Sequence, residues 1–258
     1  MNNNMVMYTT DLLVFGIDSR ESDNCRSLPK KYFSILLVKR SKEPYKEKWC
    51  LPGGYVSNDE TSKEAVVRVL KKETGLENVY MQQIGVHDEV NRDPRGRTVS
   101  TSYMALVDRT AIKQELMEEA CWFDISIEET NDIIMVNLTN GNERINYKVK
   151  KIEIDTKTDD MNYEIVMKSD LAFDHDKIII QGIMNLRHKV NSTDIVFNLM
   201  PELFTIGQLK QVYELLLGRE LVNSAFRRVM ADKIEETGET IRTGGHRPSM
   251  ICRYKKGE

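Results

Sequence analysis

The sequence lacks any apolar run of the roughly 18–20 residues that a membrane-spanning helix needs, and residues 1–10 lack the pattern of a secretory signal. It also has few cysteines, and these are far apart and follow no metal-ligand spacing. The absence of a disulfide or zinc pattern predicts reduced thiols, a cytoplasmic protein and no membrane partner. The four cysteines are Cys25, Cys50, Cys121 and Cys252.

A strong excess of one charge is also missing. The formal net charge is −3 at pH 7, which excludes a general polyanion binder, so any affinity for DNA must come from a local basic patch. The chain has 258 residues, of which 40% are hydrophobic. This is enough apolar material for one large domain or two small ones.

Short apolar runs predict strands at residues 12–17, 33–38, 79–86 and 99–107. A helix is predicted over residues 61–74, because Thr61 and Glu64 have capping-box spacing and Gly75 lies at the C′ position.

Two more strands are predicted at 133–138 and 145–154, around a hairpin turn at Asn140-Gly141-Asn142. They indicate a β insertion over about 133–167 whose role the sequence does not explain. A helix is predicted over 176–189, with Asp174 as its cap.

Gly54, Glu60, Arg68, Glu73 and Gly75 have the spacing of a glycine-rich loop that leads into one helix. This spacing resembles the Nudix box. The resemblance implies an α/β (α+β) Nudix-type sandwich of a mixed sheet and helices, and a Nudix-like ligand-sensing domain is predicted over residues 5–190.

The resemblance also implies glutamates at positions 69, 72 and 73, where family members hold Mg²⁺ against a diphosphate, but only Glu73 is present. The three positions share one helix face. Val69 supplies no oxygen ligand, and Lys72 places a positive charge where the cation belongs. Two like charges about 4 Å apart repel by about 4 kcal/mol at an effective dielectric of 20. We therefore expect no required cofactor, no metal site and absent or very weak hydrolysis.

A second interpretation keeps the chemistry. Glu60 and Glu73, with a loop carboxylate such as Asp88 or Glu89, then hold one Mg²⁺ or Mn²⁺. On this interpretation the chain is a Nudix (MutT-type) hydrolase of ADP-ribose or another nucleoside diphosphate derivative, and Glu73 and Glu60 are catalytic. A third, purely structural interpretation treats the glutamates as solvated charges.

Arg92, Arg95 and Arg97 lie within six residues on a loop that also contains proline and glycine. They predict a clamp that grips phosphates bidentately, with a simple basic turn in which Asp93 pairs with an arginine as the alternative. The loop resembles one in ADP-ribose-binding Nudix proteins and their regulator relatives. The predicted ligand-binding residues are Arg92, Arg95, Arg97, Gly54 and Arg68.

Residues 193–258 show the pattern helix, helix, hairpin. Thr205 is predicted to cap the first helix, which Gly218 ends, and Asn223 to cap a second helix that includes Ile234. A hairpin follows from about residue 239 to 254. Basic residues on the second helix and the hairpin predict a winged helix-turn-helix DNA-binding domain; a winged helix used only for protein contacts or dimerisation is the alternative. The predicted DNA-binding residues are Asn223, Arg227, Arg228, Lys233, Arg242, His246 and Arg247.

These motifs together resemble a family of Nudix-related transcriptional regulators. The resemblance implies a double-stranded DNA operator, a homodimer, and a small phosphorylated nucleotide such as ADP-ribose, or a sugar, as effector.

Overall fold

Two β-sheets and four α-helices form the part of the chain that the computed structural model describes, which is residues 5–21, 28–112, 116–155, 160–242 and 248–255. The strands of the first sheet are β1 (Met7–Arg20), β2 (Lys30–Lys39), β3 (Trp49–Cys50), β4 (Gly53–Tyr55), β5 (Tyr80–His87), β6 (Thr98–Asp108), β7 (Ala120–Thr130), β8 (Ile133–Thr139), β9 (Arg144–Asp155) and β10 (Asp160–Met167). The second sheet contains β11 (Phe204–Thr205), β12 (Ile234–Ile241) and β13 (Ser249–Tyr254).

The helices are α1 (Ser62–Thr74), α2 (His175–Ser192), α3 (Ile206–Leu217) and α4 (Asn223–Met230), and 3₁₀ turns cover Arg109–Ala111 and Ile195–Leu199. Of the helices in the described ranges, none combines the length and apolarity needed to cross a membrane.

The first sheet is mixed. Its strand order is β10-β9-β8-β7-β2-β1-β6-β5, with β3 added to β2 and β4 to β1. β1 and β6 are parallel, whereas β1 runs antiparallel to β2 and β4. A mixed sheet with helices, followed by a winged helix, confirms the predicted fold class.

Strand β1 lies at the centre of the protein because both of its faces are covered. Leu13 and Phe15 join the buried cluster that contains α2, whereas Leu12 and Val14 join the cluster that contains Leu70 of α1. A strand buried on both faces has a continuous apolar sequence instead of an alternating one, which explains the run at 12–17.

Helix α1 forms as its local sequence predicts. The Thr61 side chain accepts a hydrogen bond from the Glu64 N–H at 3.2 Å, and the Glu64 carboxylate accepts one from the Thr61 N–H at 2.7 Å. Gly75 ends the helix at φ 70°, a left-handed conformation that favours glycine. The capping box and the glycine stop are confirmed.

The four predicted strands of the first half are confirmed, and β1 and β2 are longer than their apolar runs. The strands predicted at 133–138 and 145–154 are also present, and with β10 they extend the first sheet outward from β7. Strand β7 is additional to the prediction, although Phe123, Ile125 and Ile127 alternate with polar residues along it.

The C-terminal elements begin with α3, whose predicted cap at Thr205 and glycine stop at Gly218 are confirmed, and in which Gln208 completes a capping box with Thr205. The prediction that Asn223 caps the next helix is wrong by one residue, because the Phe226 N–H donates to the carbonyl of Val222. The prediction that this helix includes Ile234 is also wrong. Ile234 belongs to β12 and pairs with Tyr254.

The two sheets share one continuous core. Leu209 and Val212 of α3 belong to the same buried cluster as Leu37 of β2 and Ile183 of α2. Helix α2 ends at Ser192, beside the predicted boundary between residues 190 and 193. The α2 helix therefore connects one end of the first sheet with the winged helix.

Candidate functional site

A pocket of about 310 Å³ opens where β1, the end of β2, β4, the end of α1 and residues 92–95 and 173–175 meet. Gly54, Arg92 and Arg95 of the predicted ligand-binding residues line it, and so does Glu73. Its residues come from distant parts of the chain, and the sheet brings them together.

Arg92 is buried against two carboxylates. Its Nη2 donates to Asp11 Oδ2 at 3.0 Å and to Asp174 Oδ1 at 2.7 Å, and its Nε donates to Asp174 Oδ2 at 2.9 Å. Only 4% of its side chain is exposed. Both carboxylates therefore occupy the guanidinium, which leaves little of it for a ligand.

His175 completes this buried group. Its Nδ1 accepts a hydrogen bond from the Leu51 N–H at 2.8 Å, so the ring proton is on Nε2, which lies 3.3 Å from Asp11 Oδ1. Burial alone raises the pKa of Asp11, but His175 and Arg92 outweigh burial and hold that pKa well below its ordinary value. Asp11 is therefore a permanent anion in the wall of the pocket.

Asp174 precedes α2, but it does not act as the predicted cap. Its side chain makes no capping hydrogen bond, because Arg92 takes both of its oxygens. The residue before it, Phe173, has a φ of 58°, a left-handed conformation that is strained for a bulky side chain. The Arg92–Asp174 pair holds this segment against the pocket.

Arg95 belongs to the same loop but reaches the pocket. It forms a salt bridge with Asp93 at 2.7 Å, and its guanidinium carbon lies 5.7 Å from the ring centroids of both Tyr55 and Phe173. This cation–π arrangement with two rings holds the Arg95 guanidinium at the pocket.

Arg97 and Arg68 do not line the pocket. Arg97 donates to the carbonyl of Asp88, and Arg68 pairs with Glu60, its Nε 3.0 Å from Glu60 Oε2. The hydrogen bonds from Arg68 and Ser57 lower the pKa of Glu60 to about 2. The predicted three-arginine clamp is thus wrong in its geometry, because only Arg95 presents a partly exposed guanidinium to the pocket.

The helix face that aligns with the Nudix metal site does not fit a divalent cation. Val69 is buried in the apolar cluster between α1 and the sheet, and Lys72 Nζ lies 3.1 Å from Glu73 Oε1. Glu60 is paired with Arg68 and Glu89 with Lys177, so the alternative ligand set is not assembled. Across the described ranges, no three His, Cys, Asp or Glu side chains are grouped as metal ligands.

Several pocket residues are not predicted from the sequence. Arg40 and Lys42 line the pocket at the end of β2, and the Arg40 guanidinium carbon lies 4.8 Å from the Phe173 ring centroid. The run Lys39-Arg40-Ser41-Lys42 was the available signal. Nothing local in the sequence marks Thr10 or His175 as neighbours of this run.

The predicted DNA-binding residues divide into two groups. Asn223, Arg227 and Arg228 are exposed on α4, and Arg242 is exposed at the end of β12. A spacing of four residues places Arg227 next to Asn223 on α4, whereas Arg228 lies about 140° around the helix from Asn223, so the three side chains share a broad exposed side of α4. This exposed side is referred to below as the α4 face.

Lys233 is placed differently from the prediction. It follows α4 instead of belonging to it, and its Nζ lies 2.5 Å from Asp194 Oδ1. Its ammonium therefore ties the winged helix to the segment after α2. His246 and Arg247 lie outside the described residues.

Two family models match this chain in separate regions: the NUDIX domain over residues 27–133 and the NrtR DNA-binding winged helix domain over residues 196–254. The chain is 29% identical over 254 residues to the ADPR responsive transcriptional repressor NtrR of Acinetobacter baylyi, a match that covers 96% of this chain and 82% of that protein. It is 41% identical over 93 residues to the ADP-ribose pyrophosphatase of Methanocaldococcus jannaschii, which covers 36% of this chain and 55% of that protein. The crystal structure of Shewanella oneidensis NrtR complexed with a 27mer DNA is similar, with a TM-score of 0.68 at 26% identity, and the match covers 96% of this chain and 93% of that one.

Proposed function

Because this chain belongs to the Nudix-related transcriptional regulators, we propose that its Nudix domain controls operator binding by sensing ADP-ribose or a related phosphorylated nucleotide. The winged helix binds double-stranded DNA through the α4 face. The observation that carries the proposal is that one chain matches both family models, with an open cationic pocket in one region and an exposed arginine-bearing helix in the other.

The charge of the pocket supports a phosphorylated effector. Arg92, Arg95 and Lys72 are each paired with a carboxylate of the pocket, whereas Arg40 and Lys42 form no salt bridge with any described residue. Phosphate oxygens are the ligand groups that unpaired guanidinium and ammonium groups bind best. An uncharged sugar, the other effector considered, leaves these cations unused.

The same site favours binding over hydrolysis. Diphosphate hydrolysis in a Nudix domain depends on a divalent cation that neutralises charge and positions water, and Val69 and Lys72 replace two of the carboxylates that would hold it. We propose that the domain retains recognition and has lost turnover. Phosphate release from ADP-ribose with Mg²⁺ or Mn²⁺ tests this, and clear turnover that Glu73→Gln abolishes would favour the hydrolase alternative.

We further propose that the protein acts as a homodimer. Winged-helix and helix-turn-helix regulators bind half-sites related by two-fold symmetry, so a dimer matches a palindromic operator. Light scattering of the full chain measures the mass directly, and a mass near 29.9 kDa under the conditions of DNA binding would contradict the dimer.

The experiment for the whole proposal is fluorescence anisotropy on the DNA upstream of the gene's own operon, with and without ADP-ribose. We expect saturable binding, and a change in DNA affinity of at least about fivefold on addition of ADP-ribose, which is the lower end of allosteric coupling. A ligand that binds both states equally regulates nothing. Unchanged DNA affinity at saturating ADP-ribose would therefore reject ADP-ribose as the effector.

A further inference from the structure

The pocket contains two observations that the proposed function does not explain. Glu73 is 4% exposed and its Oε2 has no hydrogen-bond partner, and Thr10 is fully buried and its Oγ1 has none either, among the described residues. Both residues line the pocket. A buried polar atom without a partner destabilises the protein, and a ligand that donates a hydrogen bond to it removes that cost.

The other Glu73 oxygen is occupied by the side chain that stands in the place of a metal ligand. Lys72 Nζ lies 3.1 Å from Glu73 Oε1 and its side chain is 63% exposed. The ammonium therefore neutralises part of the carboxylate while it still has free donors for a second partner. Lys72 therefore supplies this position with a cationic group that is covalently part of the chain, where a Nudix metal site would hold a dissociable ion.

Arg40 and Lys42 also line the pocket and add positive charge to it, and neither forms a salt bridge with a carboxylate among the described residues. Arg40 donates from Nε to the carbonyl of Pro44 at 2.7 Å and from Nη2 to that of Lys42 at 3.3 Å. These neutral partners orient the guanidinium without cancelling its charge, and they leave Nη1 available. The side of the pocket formed by residues 40–42 and the end of α1 together hold more positive than negative charge.

We propose, on the basis of the proposed function, that the pocket binds the phosphates of its effector through Arg40, Lys42 and Lys72, with no divalent cation, and binds a hydroxyl of the effector through Glu73. The chemical class of the ligand is then a sugar-containing diphosphate, because phosphates satisfy the cations and a sugar hydroxyl satisfies the unpaired Glu73 oxygen. Thr10 Oγ1 is a second partner for such a hydroxyl.

The experiment is calorimetry on the full chain with two probes, ADP-ribose and inorganic pyrophosphate, each in EDTA and in MgCl₂. We expect the wild-type protein to bind ADP-ribose equally, within about twofold, in both buffers. Binding of ADP-ribose that is lost in EDTA and restored by Mg²⁺ would overturn the metal-free assignment and leave the proposed sensing function in place.

Matched lysine variants test the cations. Lys72→Met and Lys42→Met should each weaken ADP-ribose binding by about tenfold or more, since each removes a charge-assisted hydrogen bond to a phosphate. Lys71→Met and Lys46→Met are the controls, because these exposed lysines lie on the same elements but outside the pocket. Equal losses in the variants and their controls would reject the assignment.

Glu73→Gln separates the hydroxyl contact from the phosphate contacts. Removing the carboxylate should weaken ADP-ribose and leave pyrophosphate binding equal or tighter, because pyrophosphate has no sugar and gains from the lost negative charge. Weakening of the binding of both probes to the same extent would contradict the hydroxyl contact. An unchanged circular dichroism spectrum confirms that the variant is folded.

The wild-type measurements separate this inference from the proposed function. If neither probe binds the wild-type protein in either buffer, both this inference and the proposed effector fail. If pyrophosphate alone binds, and its binding depends on Lys42 and Lys72, only the proposed effector fails.

Discussion

Arg92 and Asp174 form a bidentate ion pair that joins the 92–95 loop to the start of α2. The two hydrogen bonds measure 2.9 Å and 2.7 Å, and 4% of the Arg92 side chain and 14% of the Asp174 side chain are exposed. Asp11 of β1 accepts from the same guanidinium. The pair therefore connects the pocket to the helix that leads toward the winged helix.

Removing Arg92 should destabilise the protein strongly. Arg92→Met leaves two buried carboxylates without their cation, and breaking a buried pair from one side costs about 3–5 kcal/mol. Urea unfolding followed by circular dichroism measures the change in the free energy of unfolding. Arg253→Met is the matched control, because Arg253 and its partner Glu235 are both 52% exposed, and the loss from removing an exposed pair should stay near or below about 1 kcal/mol. Equal losses in the two variants would contradict the structural role of Arg92.

His87 should make stability fall as the pH decreases from about 7.5 to 5.5. Burial lowers the pKa of His87 and outweighs the opposite effect of Asp174 and Asp11, whereas an unfolded histidine titrates near 6.5. The unfolded state therefore binds the proton more readily than the folded state. The contribution of His87 to the free energy of unfolding is fully present above pH 6.5 and is lost as the pH falls below 6.5, by at most about 1.4 kcal/mol per pH unit. Urea unfolding at pH 7.5, 6.5 and 5.5 should show a smaller slope for His87→Gln than for the exposed control His188→Gln; identical slopes would refute this assignment.

Replacement by alanine should destabilise the protein at Gly53 and have little effect at Gly54. A Cβ on Gly53 would lie 2.3 Å from the Thr10 carbonyl oxygen, whereas a Cβ on Gly54 would meet nothing within 4 Å. Gly53→Ala should therefore force β4 away from β1 and cost about 1–3 kcal/mol, while Gly54→Ala should change stability by less than about 0.5 kcal/mol. Thermal unfolding of both variants checks this, and a tolerated Gly53→Ala would show that the contact is not tight.

The α4 face should set the affinity for DNA and its salt dependence. Arg227→Ala and Arg228→Ala should each weaken binding to the upstream DNA by about 1–3 kcal/mol if the guanidinium reads a base, or reduce the salt slope by about one if it contacts a phosphate. Anisotropy titrations at several salt concentrations distinguish the two. Arg144→Ala, an exposed arginine of β9, is the control, and a loss no larger than the control's would exclude the α4 face as the DNA contact.

Local signals determined the elements that begin and end at capping residues. Thr61 with Glu64, and Thr205 with Gln208, satisfy the first N–H groups of α1 and α3 within three residues, so these helices are predictable without any tertiary contact. The apolar runs of β1, β2 and β6 likewise predict these three strands from local sequence alone. The resemblance to the Nudix box, and the loss of carboxylates at Val69 and Lys72, also depend on sequence alone.

Only the tertiary structure decided which side chains meet in the pocket. Arg92 is separated by 81 residues from Asp11 and by 82 from Asp174, and His175 by 124 from Leu51. A guanidinium on an isolated loop is equally able to bind a phosphate or a carboxylate, because both are oxyanions with matching geometry. Strand β1 and the segment before α2 each place one carboxylate, Asp11 and Asp174 respectively, next to Arg92, so the unpaired positive charge of the pocket lies at Arg40 and Lys42.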